Sequence, residues 1–215
     1  MSRPILYSSI RSPHCLKVAL FLQEKGIVFD RVEIDLPARQ QKSPAYLRIN
    51  PFGLVPAYTD DYGPHADSLL IMHYLEWRHP QPRLFPAAET DWPDALNWIE
   101  RSSGPFRDVS HHLYWQIIEP PTSGTDWDRV AALKTEGIML LDTLEAHLAH
   151  RQFMFGEFGV VDIALIPWVH GYRRFDLISA ERHPHTAAWI ERVSTRPSFQ
   201  NNYQIKGRFF SGDTA

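Results

Sequence analysis

The sequence predicts an α/β domain followed by an all-α helical bundle, and three observations lead to that prediction. Residues 4–10 and 28–36 have the composition of strands, and the residues between them have the periodicity of a helix. A proline-rich stretch at 79–93 then interrupts both kinds of periodicity. Every periodic segment after that stretch is helical. The chain has 215 residues, of which 44% are hydrophobic, and this is enough for two small cores.

The first predicted helix carries signals at both of its ends. Ser12 is a favourable N-cap, Pro13 suits the first helical position, and Gly26 suits the residue just past the end. A strand, a helix and a second strand in such close succession predict a parallel βαβ unit with a right-handed crossover.

The rest of the first domain follows from turn and capping signals. Residues 37–50 predict a short irregular helix, and two short strands flank a turn expected at 61–64. Asp67 or Ser68 then caps a further helix. The resulting order, β-α-β-α-β-β-α, is that of the thioredoxin fold.

The domain boundaries follow from the proline-rich stretch. We expect a thioredoxin-like domain at 1–80, a linker at 81–92 and an all-helical domain at 93–215. The helices expected in the second domain are 93–118, 126–150, 162–175 and 184–196.

Composition narrows the class of protein. The net charge of −3 offers no overall basic field that would attract nucleic acid. A membrane-spanning helix needs about 18 consecutive apolar residues, and no apolar run approaches that length. Cys15 is the single cysteine, so neither an intrachain disulfide nor dithiol redox chemistry is expected. The eleven histidines lack the cysteines or spaced carboxylates of a metal site, so no metal is predicted. We expect a cytoplasmic protein without direct contact to membrane or nucleic acid.

Three segments in order carry a resemblance to a known family: PILYSSIRSPHCLKVALFLQEKG, NPFGLVPAY and ADSLLIMHYLEWRHP. Together they resemble the cytosolic glutathione transferases, and the first is most similar to the zeta group, the maleylacetoacetate isomerases. The resemblance implies glutathione as co-substrate, a small hydrophobic electrophile as second substrate, a role in detoxification and a homodimer.

The resemblance also implies which residues hold the peptide. Val55 and Pro56 match the family's cis proline, where the preceding N–H and C=O pair with the cysteinyl unit of glutathione. Asp67 and Ser68 match the helix start that takes the γ-glutamyl end. This has a physical reason, because a helix N-terminus presents unpaired N–H groups and a positive dipole to a carboxylate. Asp67 would pair with the ammonium.

Two further positions are implied on the segment that leads to this proline. Lys42, or Gln41 beside it, matches residues that reach the glycyl carboxylate; a solvated polar loop is the alternative. Phe52 matches an aromatic residue that inserts into the partner subunit of a dimer. A phenylalanine in the core of its own domain is the alternative interpretation.

The residue that would ionise the glutathione sulfur is open between Ser12 and Arg11, with Ser9 and Tyr7 as lesser options. Lowering a thiol pKa from about 8.5 to about 6.5 requires about 2.7 kcal/mol. A helix N-terminus contributes about 0.3–1 kcal/mol, or up to about 2 when partly buried. A hydrogen bond to a charged group adds about 1.5–3 kcal/mol. Ser12 stands where both act, while Arg11 would supply a fixed charge.

The zeta pattern breaks beside this serine. The zeta group continues Ser-Ser-Cys, whereas this chain reads Ser12-Pro13-His14 and places Cys15 one position later. This break argues against the isomerase chemistry associated with that motif.

The second domain would supply the electrophile site. His111, Tyr114 and Trp115 lie close together on its first predicted helix, and Phe209-Phe210 near the C-terminus could cover them. Aromatic residues at helical spacing are also typical of a core, and that interpretation stays open.

A glutathione transferase is the predicted function, with two alternatives. A non-catalytic transcription partner similar to stringent starvation protein would share the fold, and HPQPRLFPA resembles that group as well. A glutathione-dependent isomerase, lyase or dehalogenase would use the same peptide site for another reaction.

Overall fold

The computed structural model describes residues 2–203, which form two compact units. The first unit comprises the residues up to Leu84 together with those from Arg196 onward, and the second is Phe85–Thr195. The expected cover, Phe209-Phe210, lies outside the described residues.

A four-stranded mixed sheet forms the centre of the first unit. Its strands are β1 (Ile5–Ser8), β2 (Asp30–Glu33), β3 (Ala57–Asp60) and β4 (Gly63–Ala66), in the spatial order β2-β1-β3-β4. β1 runs parallel to β2 and antiparallel to β3, which pairs antiparallel with β4. The parallel βαβ unit and the antiparallel hairpin predicted from the sequence are therefore confirmed.

The hairpin is tighter than predicted. Gly63 and Pro64, expected in the turn, already belong to β4, so only Asp61 and Tyr62 connect the strands. The Tyr62 amide donates to the Asp60 carboxylate at 2.9 Å, which stabilises this two-residue connection.

Three helices accompany the sheet: α1 (Pro13–Glu24), α2 (Pro44–Leu47) and α3 (Ser68–Arg78), with a 3₁₀ turn at Gln40–Lys42 before α2. α1 begins at the predicted cap, and Gly26 just beyond its end has φ +68°, a conformation that favours glycine. Val18, Leu20, Phe21 and Leu22 of α1 have no solvent exposure, so this helix lies in the core of the unit.

A buried lysine holds the chain that leaves α3. The Lys25 ammonium has no exposed side-chain surface and contacts the Glu76 carboxylate at 2.5 Å. It also donates to the carbonyls of His79 and Pro82, at 2.7 and 2.6 Å. One ion pair and two backbone acceptors therefore satisfy the three donors of this buried charge.

The second unit is helical, and the described chain then ends in one more helix. The helices are α4 (Trp92–Ser103), α5 (Pro105–Leu113), α6 (Trp127–Leu148), α7 (Val160–Gly171), α8 (Pro184–Ser194) and α9 (Pro197–Tyr203). The thioredoxin-like and all-helical fold class is confirmed. The predicted single helix over 93–118 is divided, because Gly104 has a non-helical backbone and Pro105 begins a new helix.

The last described helix, α9, belongs to the first unit and was not predicted. Arg196 at its start donates two hydrogen bonds to the Glu24 carboxylate at the end of α1, at 2.9 and 2.6 Å. Burial acts to raise the pKa of Glu24, but the hydrogen bonds from Arg196 and Ser198 outweigh it, so the pKa lies below its ordinary value. Asn202 of α9 accepts from Arg31 on β2 at 2.5 Å.

A buried carboxylate organises the start of α7. Asp162 accepts hydrogen bonds from the amides of Met154 and Gly159, both at 3.0 Å, and from the Trp189 indole at 2.7 Å. Gly159 is the N-cap and has no side chain to cap with, so the Asp162 carboxylate reaches back to its amide. Burial raises the pKa of Asp162 to about 6 although these donors favour the ionised form. Among the described residues, no helix is both long and apolar enough to cross a membrane.

Replacing Asp162 with asparagine tests this network without creating a cavity. The amide nitrogen of Asp162→Asn would face a buried N–H donor, so the free energy of unfolding should fall by about 3 kcal/mol. Urea unfolding monitored by circular dichroism measures this loss. The matched variant is Asp128→Asn in the first turn of α6, where the side chain is exposed; it should change stability by less than about 1 kcal/mol. Equal losses in the two variants would contradict the role assigned to Asp162.

His170 near the end of α7 makes stability depend on pH. Burial, together with the Arg173 charge, lowers the pKa of His170 from its ordinary 6.5 to about 4. The unfolded chain therefore takes up a proton near pH 6.5 that the folded chain accepts only near pH 4. Stabilisation by neutral His170 is complete above pH 6.5 and is lost as the pH falls toward 4. Asp162 has the opposite slope, because its raised pKa in the folded state favours folding as the pH falls from about 6 to 4.

We expect His170→Gln to remove the histidine contribution alone. Between pH 7 and pH 4, the free energy of unfolding of the parent should fall relative to that of His170→Gln by up to about 3 kcal/mol. Denaturant titrations across that range give the difference curve, in which the Asp162 contribution cancels. His150→Gln, at an exposed position, is the matched histidine variant against which the curve is compared. A flat curve for His170→Gln would show that His170 titrates normally in the folded state.

Candidate functional site

A short turn joins β1 to α1 and places Ser12 at the start of the helix. The Ser12 amide donates to the Ser9 carbonyl at 3.0 Å, and Ser12 has an extended backbone with φ −110°. Its hydroxyl oxygen accepts from the Cys15 amide at 3.4 Å, the long hydrogen bond of an N-cap. Ser12 is half-buried, and the half-buried Arg11 precedes it. The structure therefore keeps both predicted activating residues at the N-terminus of α1.

Cys15 is not a candidate nucleophile. It is 3% exposed, and the Ser9 amide donates to its sulfur at 3.3 Å. Burial raises the pKa of this thiol to about 12, although hydrogen bonds from the Ser12 side chain and the Ser9 backbone act to lower it. A thiol with that pKa stays protonated at neutral pH and unreactive.

Side-chain hydrogen bonds shape the loop that precedes the cis proline. The Leu54 carbonyl accepts from the Tyr46 hydroxyl and from the Asn50 amide group, both at 2.7 Å. The Asn50 side chain also accepts from the Phe52 amide at 3.1 Å. Asn50 is 1% exposed, so this loop is tied to a buried amide. The sequence prediction missed Asn50 and Tyr46; the Asn-Pro pair at the loop start was the available signal.

The backbone of Val55 is available to a ligand. The Val55–Pro56 peptide bond is cis, as the resemblance implied. Within residues 2–203, no hydrogen bond involves the amide or the carbonyl of Val55, which lies just before β3. Since backbone groups in folded proteins are normally paired, this N–H and C=O form a short open edge for an extended peptide.

The start of α3 combines a strained cap with an available amide. Asp67 has φ +71°, which costs a non-glycine residue about 1–3 kcal/mol, and it accepts from the Leu69 and Leu70 amides at 2.9 and 3.3 Å. Ser68 is the first helical residue and is 6% exposed. In the described part of the chain its amide has no hydrogen-bond partner. An exposed carboxylate and an available N–H therefore lie side by side.

His14 joins the two halves of this region and was missed by the sequence analysis. Its Nδ1 lies 3.3 Å from the Ser68 hydroxyl oxygen, so a residue in the first turn of α1 contacts the start of α3. The two residues are separated by 54 positions, and no periodic pattern connects them. The residue type, a histidine two positions after a candidate catalytic serine, was the available signal.

Lys42 lies across the loop before Val55. Its ammonium donates to the Phe52 carbonyl at 3.1 Å, and the residue is exposed. Gly53 permits this close approach: a Cβ there would lie 2.9 Å from both Nζ and Cδ of Lys42, and its φ is +61°. Phe52 is 78% exposed, so it is not a core residue of the first unit.

The three residues predicted for the electrophile site divide into two environments within the second unit. Tyr114 is 2% exposed, and its hydroxyl donates to the Glu119 carboxylate at 2.6 Å. Trp115 is 44% exposed, and its indole donates to Nε2 of His111 at 2.9 Å. Burial and the neighbouring His112 lower the pKa of His111, so its ring is neutral and can accept this bond. Tyr114 supports the segment, while His111 and Trp115 face solvent.

A π-helical turn follows α5 and exposes several apolar side chains. Residues Tyr114–Ile118 adopt it, and the Glu119 amide closes it on the Tyr114 carbonyl at 3.0 Å. Thr125 donates to the Gln116 carbonyl at 2.7 Å, which holds the start of α6 beside this turn. Ile118 and Trp127 are 44% and 67% exposed. π turns occur frequently at functional sites.

These features define a class of protein: a thioredoxin-like unit whose described residues leave an unpaired backbone edge at Val55 before the cis proline, and a helical unit with exposed aromatic residues. Within the described residues, no group of three or more His, Cys, Asp or Glu side chains could hold a metal ion.

Comparison with known proteins identifies the family within this class. The family model of the glutathione S-transferase N-terminal domain matches residues 6–83, and that of the C-terminal domain matches residues 128–192. Glutathione S-transferase 3 from Zea mays is 32% identical over 202 residues, which cover 91% of this chain and 90% of that protein. A glutathione S-transferase from Silene vulgaris is 27% identical over 94% of this chain and 97% of its own. The chain belongs to the glutathione S-transferase family, and at that level the predicted transferase is confirmed.

Solved structures agree on the fold. The theta-class glutathione S-transferase from Xanthomonas axonopodis pv. citri, solved with glutathione bound, is 26% identical with a TM-score of 0.83 and covers 97% of this chain and 100% of that one. The β-etherase LigF from Sphingobium sp. strain SYK-6 is 21% identical with a TM-score of 0.84, covering 94% and 99%.

The expectation of a zeta-group protein is not supported. The curated relatives include plant transferases of the phi class. The likeness to the zeta group rested on the first strand and helix, and the break at Pro13-His14 already opposed it.

Proposed function

We propose that this protein binds glutathione in its first unit, ionises the thiol and transfers the sulfur to a small hydrophobic electrophile. The observation that carries the proposal is the pairing of an open backbone edge at Val55 with an available helix N-terminus at Ser68. The proposal assigns glutathione to the domain expected at 1–80, a linker to 81–92 and the electrophile to the helical domain expected at 93–215, of which the residues from Arg196 belong to the first unit.

The peptide would bind as a short extended strand. Its cysteinyl N–H and C=O would pair with the Val55 backbone, and its γ-glutamyl carboxylate would accept from the Ser68 amide at the positive end of α3. The exposed Asp67 carboxylate would pair with the γ-glutamyl ammonium. Lys42 would take the glycyl carboxylate by exchanging a neutral acceptor, the Phe52 carbonyl, for a charged one.

The chemistry is nucleophilic substitution or addition by sulfur. The thiol releases its proton to solvent, the thiolate forms a bond to an electrophilic carbon, and either a leaving group departs with its electrons or a double bond accepts them. Ser12 would stabilise the thiolate by donating its hydroxyl proton at the start of α1. Arg11 would do so by charge. The rate enhancement comes from thiol ionisation and proximity.

The second substrate would contact the aromatic surface of the second unit. His111 and Trp115 supply exposed rings, and neutral His111 can interact with an apolar molecule without the cost of desolvating a charge. Tyr114 would act indirectly, since it is buried and holds the π turn through Glu119.

Assembly and location complete the proposal. The exposed Phe52 and Leu54, 78% and 63% accessible, form an apolar projection beside the peptide edge. We propose that Phe52 contacts the partner in a cytoplasmic homodimer. The protein would act in detoxification, without a metal cofactor and without direct contact to nucleic acid or membrane.

The activating residue is identified by titrating bound glutathione through its ultraviolet thiolate absorbance. In the parent protein the bound thiol should have a pKa well below about 8.5. Ser12→Ala should raise that pKa by about 1–2 units, because a hydrogen bond to a charged group is worth about 1.5–3 kcal/mol. Arg11→Gln is the parallel variant, and affinity for S-methylglutathione, which has no thiol to ionise, is the control.

The outcomes separate the claims. A shift in Arg11→Gln but not in Ser12→Ala would transfer activation to Arg11. An unshifted thiol in the parent protein would refute activation altogether. A parent protein that passes through immobilised glutathione would refute binding and favour the transcription-partner alternative.

Phe52→Ala tests the dimer. Removing a central aromatic anchor should raise the dimer dissociation constant at least about tenfold, measured by light scattering across a dilution series. Val28→Ala, which shortens a 67% exposed apolar residue elsewhere on the first unit, is the matched control. A monomeric parent protein, or the same dissociation constant in the parent and Phe52→Ala, would contradict the assignment.

A further inference from the structure

The contact between His14 and Ser68 fixes more than the packing of two helices. Ser68 is 6% exposed, and within residues 2–203 its hydroxyl has one hydrogen-bond partner, Nδ1 of His14 at 3.3 Å. The Ser68 amide has none. A nearly buried hydroxyl beside an available amide at a helix start is placed to contact the same ligand atom or its neighbour.

The direction of the proton in this contact decides what the Ser68 hydroxyl can do. An imidazole nitrogen either donates or accepts, and a hydroxyl has one proton to give. When Nδ1 carries hydrogen, Ser68 accepts from His14 and its own proton is free to be donated to an acceptor. When Nδ1 is bare, the Ser68 proton is used on the ring, and the hydroxyl can only accept from a ligand.

The γ-glutamyl end of glutathione offers both kinds of partner, since its carboxylate only accepts and its ammonium only donates. The exposed Asp67 carboxylate suits the ammonium. The Ser68 amide and hydroxyl then remain for the carboxylate, which requires Nδ1 of His14 to be the donor. A chain from His14 through Ser68 to a charged acceptor is the arrangement in which each bond strengthens the next.

We infer that His14 is a positioning residue that directs the Ser68 hydroxyl toward the γ-glutamyl carboxylate. This inference rests on the proposed glutathione site and adds a residue to it. His14 would act through Ser68 and would not contact the reacting sulfur. His14 also follows Ser12 by two residues in the first turn of α1. His14 therefore connects the start of α3, which would bind the γ-glutamyl carboxylate, to the start of α1, which would hold the thiolate.

The test compares His14→Ala, His14→Asn and Ser68→Ala in the full-length protein. Affinity for S-methylglutathione is measured by calorimetry, and KM and kcat are measured with 1-chloro-2,4-dinitrobenzene as electrophile. His14→Ala should weaken binding about tenfold and raise KM by a similar factor, while kcat stays within about twofold. Asparagine places an amide N–H close to the position of Nδ1, so His14→Asn should restore most of the affinity. His150→Ala, at an exposed position, is the control and should behave as the parent.

Two glutathione analogues separate positioning from general damage. The analogue without the γ-glutamyl amino group keeps the carboxylate, so His14→Ala should still weaken its binding about tenfold. The analogue without that carboxylate removes the acceptor, so parent and variant should bind it equally. The double variant His14→Ala/Ser68→Ala should bind glutathione no more weakly than Ser68→Ala alone, because both changes break one chain.

Each outcome bears on one claim. Equal losses for both analogues, or no rescue by asparagine, would mean that His14 only packs the helices and would overturn the inference. Parent-like affinity in His14→Ala would overturn it as well while leaving the glutathione site intact. Failure of the parent protein to bind S-methylglutathione at all would refute the proposed function itself.

Discussion

The Leu54 carbonyl is the point on which the candidate site depends. Two side-chain donors, the Tyr46 hydroxyl and the Asn50 amide, both reach it at 2.7 Å. With both donors satisfied on Leu54, the chain continues through Val55 with its own N–H and C=O unpaired within the described residues. A loop without these anchors would be free to satisfy Val55 internally, because unpaired backbone groups are costly. The open edge is therefore maintained by packing on α2 and by a buried amide rather than by the sheet.

A second constraint lies at the start of α3, where Asp67 has a strained backbone and an exposed carboxylate. Asp67 adopts φ +71° while capping two amides, and glycine would tolerate that conformation with less cost. Glycine would, however, remove the side-chain cap and the charge. The strain, the exposed carboxylate and the available Ser68 amide coincide at one helix start, and strain of this kind is concentrated at ligand sites.

Much of this arrangement was readable in the sequence, because it depends on local signals. The α1 cap at Ser12, the Gly26 terminus and the alternation of strands and helices are encoded within a few residues of where they act. Two other features join residues that are far apart in the chain: the contact of His14 with Ser68 and the packing of α9 on α1. Hydrophobic periodicity does not predict contacts of this kind. The role of Asn50 was not predicted for a related reason, since its hydrogen bond to the Leu54 carbonyl forms only when the loop folds back.

The second unit shows a different limit of sequence reasoning. Tyr114 and Trp115 were grouped with His111 because the three lie close together on one predicted helix. Tyr114 follows the buried Ser110 by four residues and shares its helix face, whereas Trp115 follows the exposed His111 by four residues. Tyr114 is consequently buried against Glu119 while Trp115 is exposed beside His111. The likeness to the zeta group misled for another reason, because it came from one strand and one helix and not from the whole chain.

The sulfur-activating end shows how one serine can serve two roles. The Ser12 hydroxyl oxygen accepts from the Cys15 amide at 3.4 Å, so capping α1 uses a lone pair of this oxygen and not its proton. A glutathione thiolate at the same helix start would be a charged acceptor, and hydrogen bonds to charged groups are roughly twice as strong as neutral ones. Ser12 would therefore donate to the ligand thiolate while it caps α1, and the Cys15 sulfur accepts from the Ser9 amide at 3.3 Å. The raised pKa of Cys15 matters as well, because a second thiolate beside the first would oppose ionisation of glutathione.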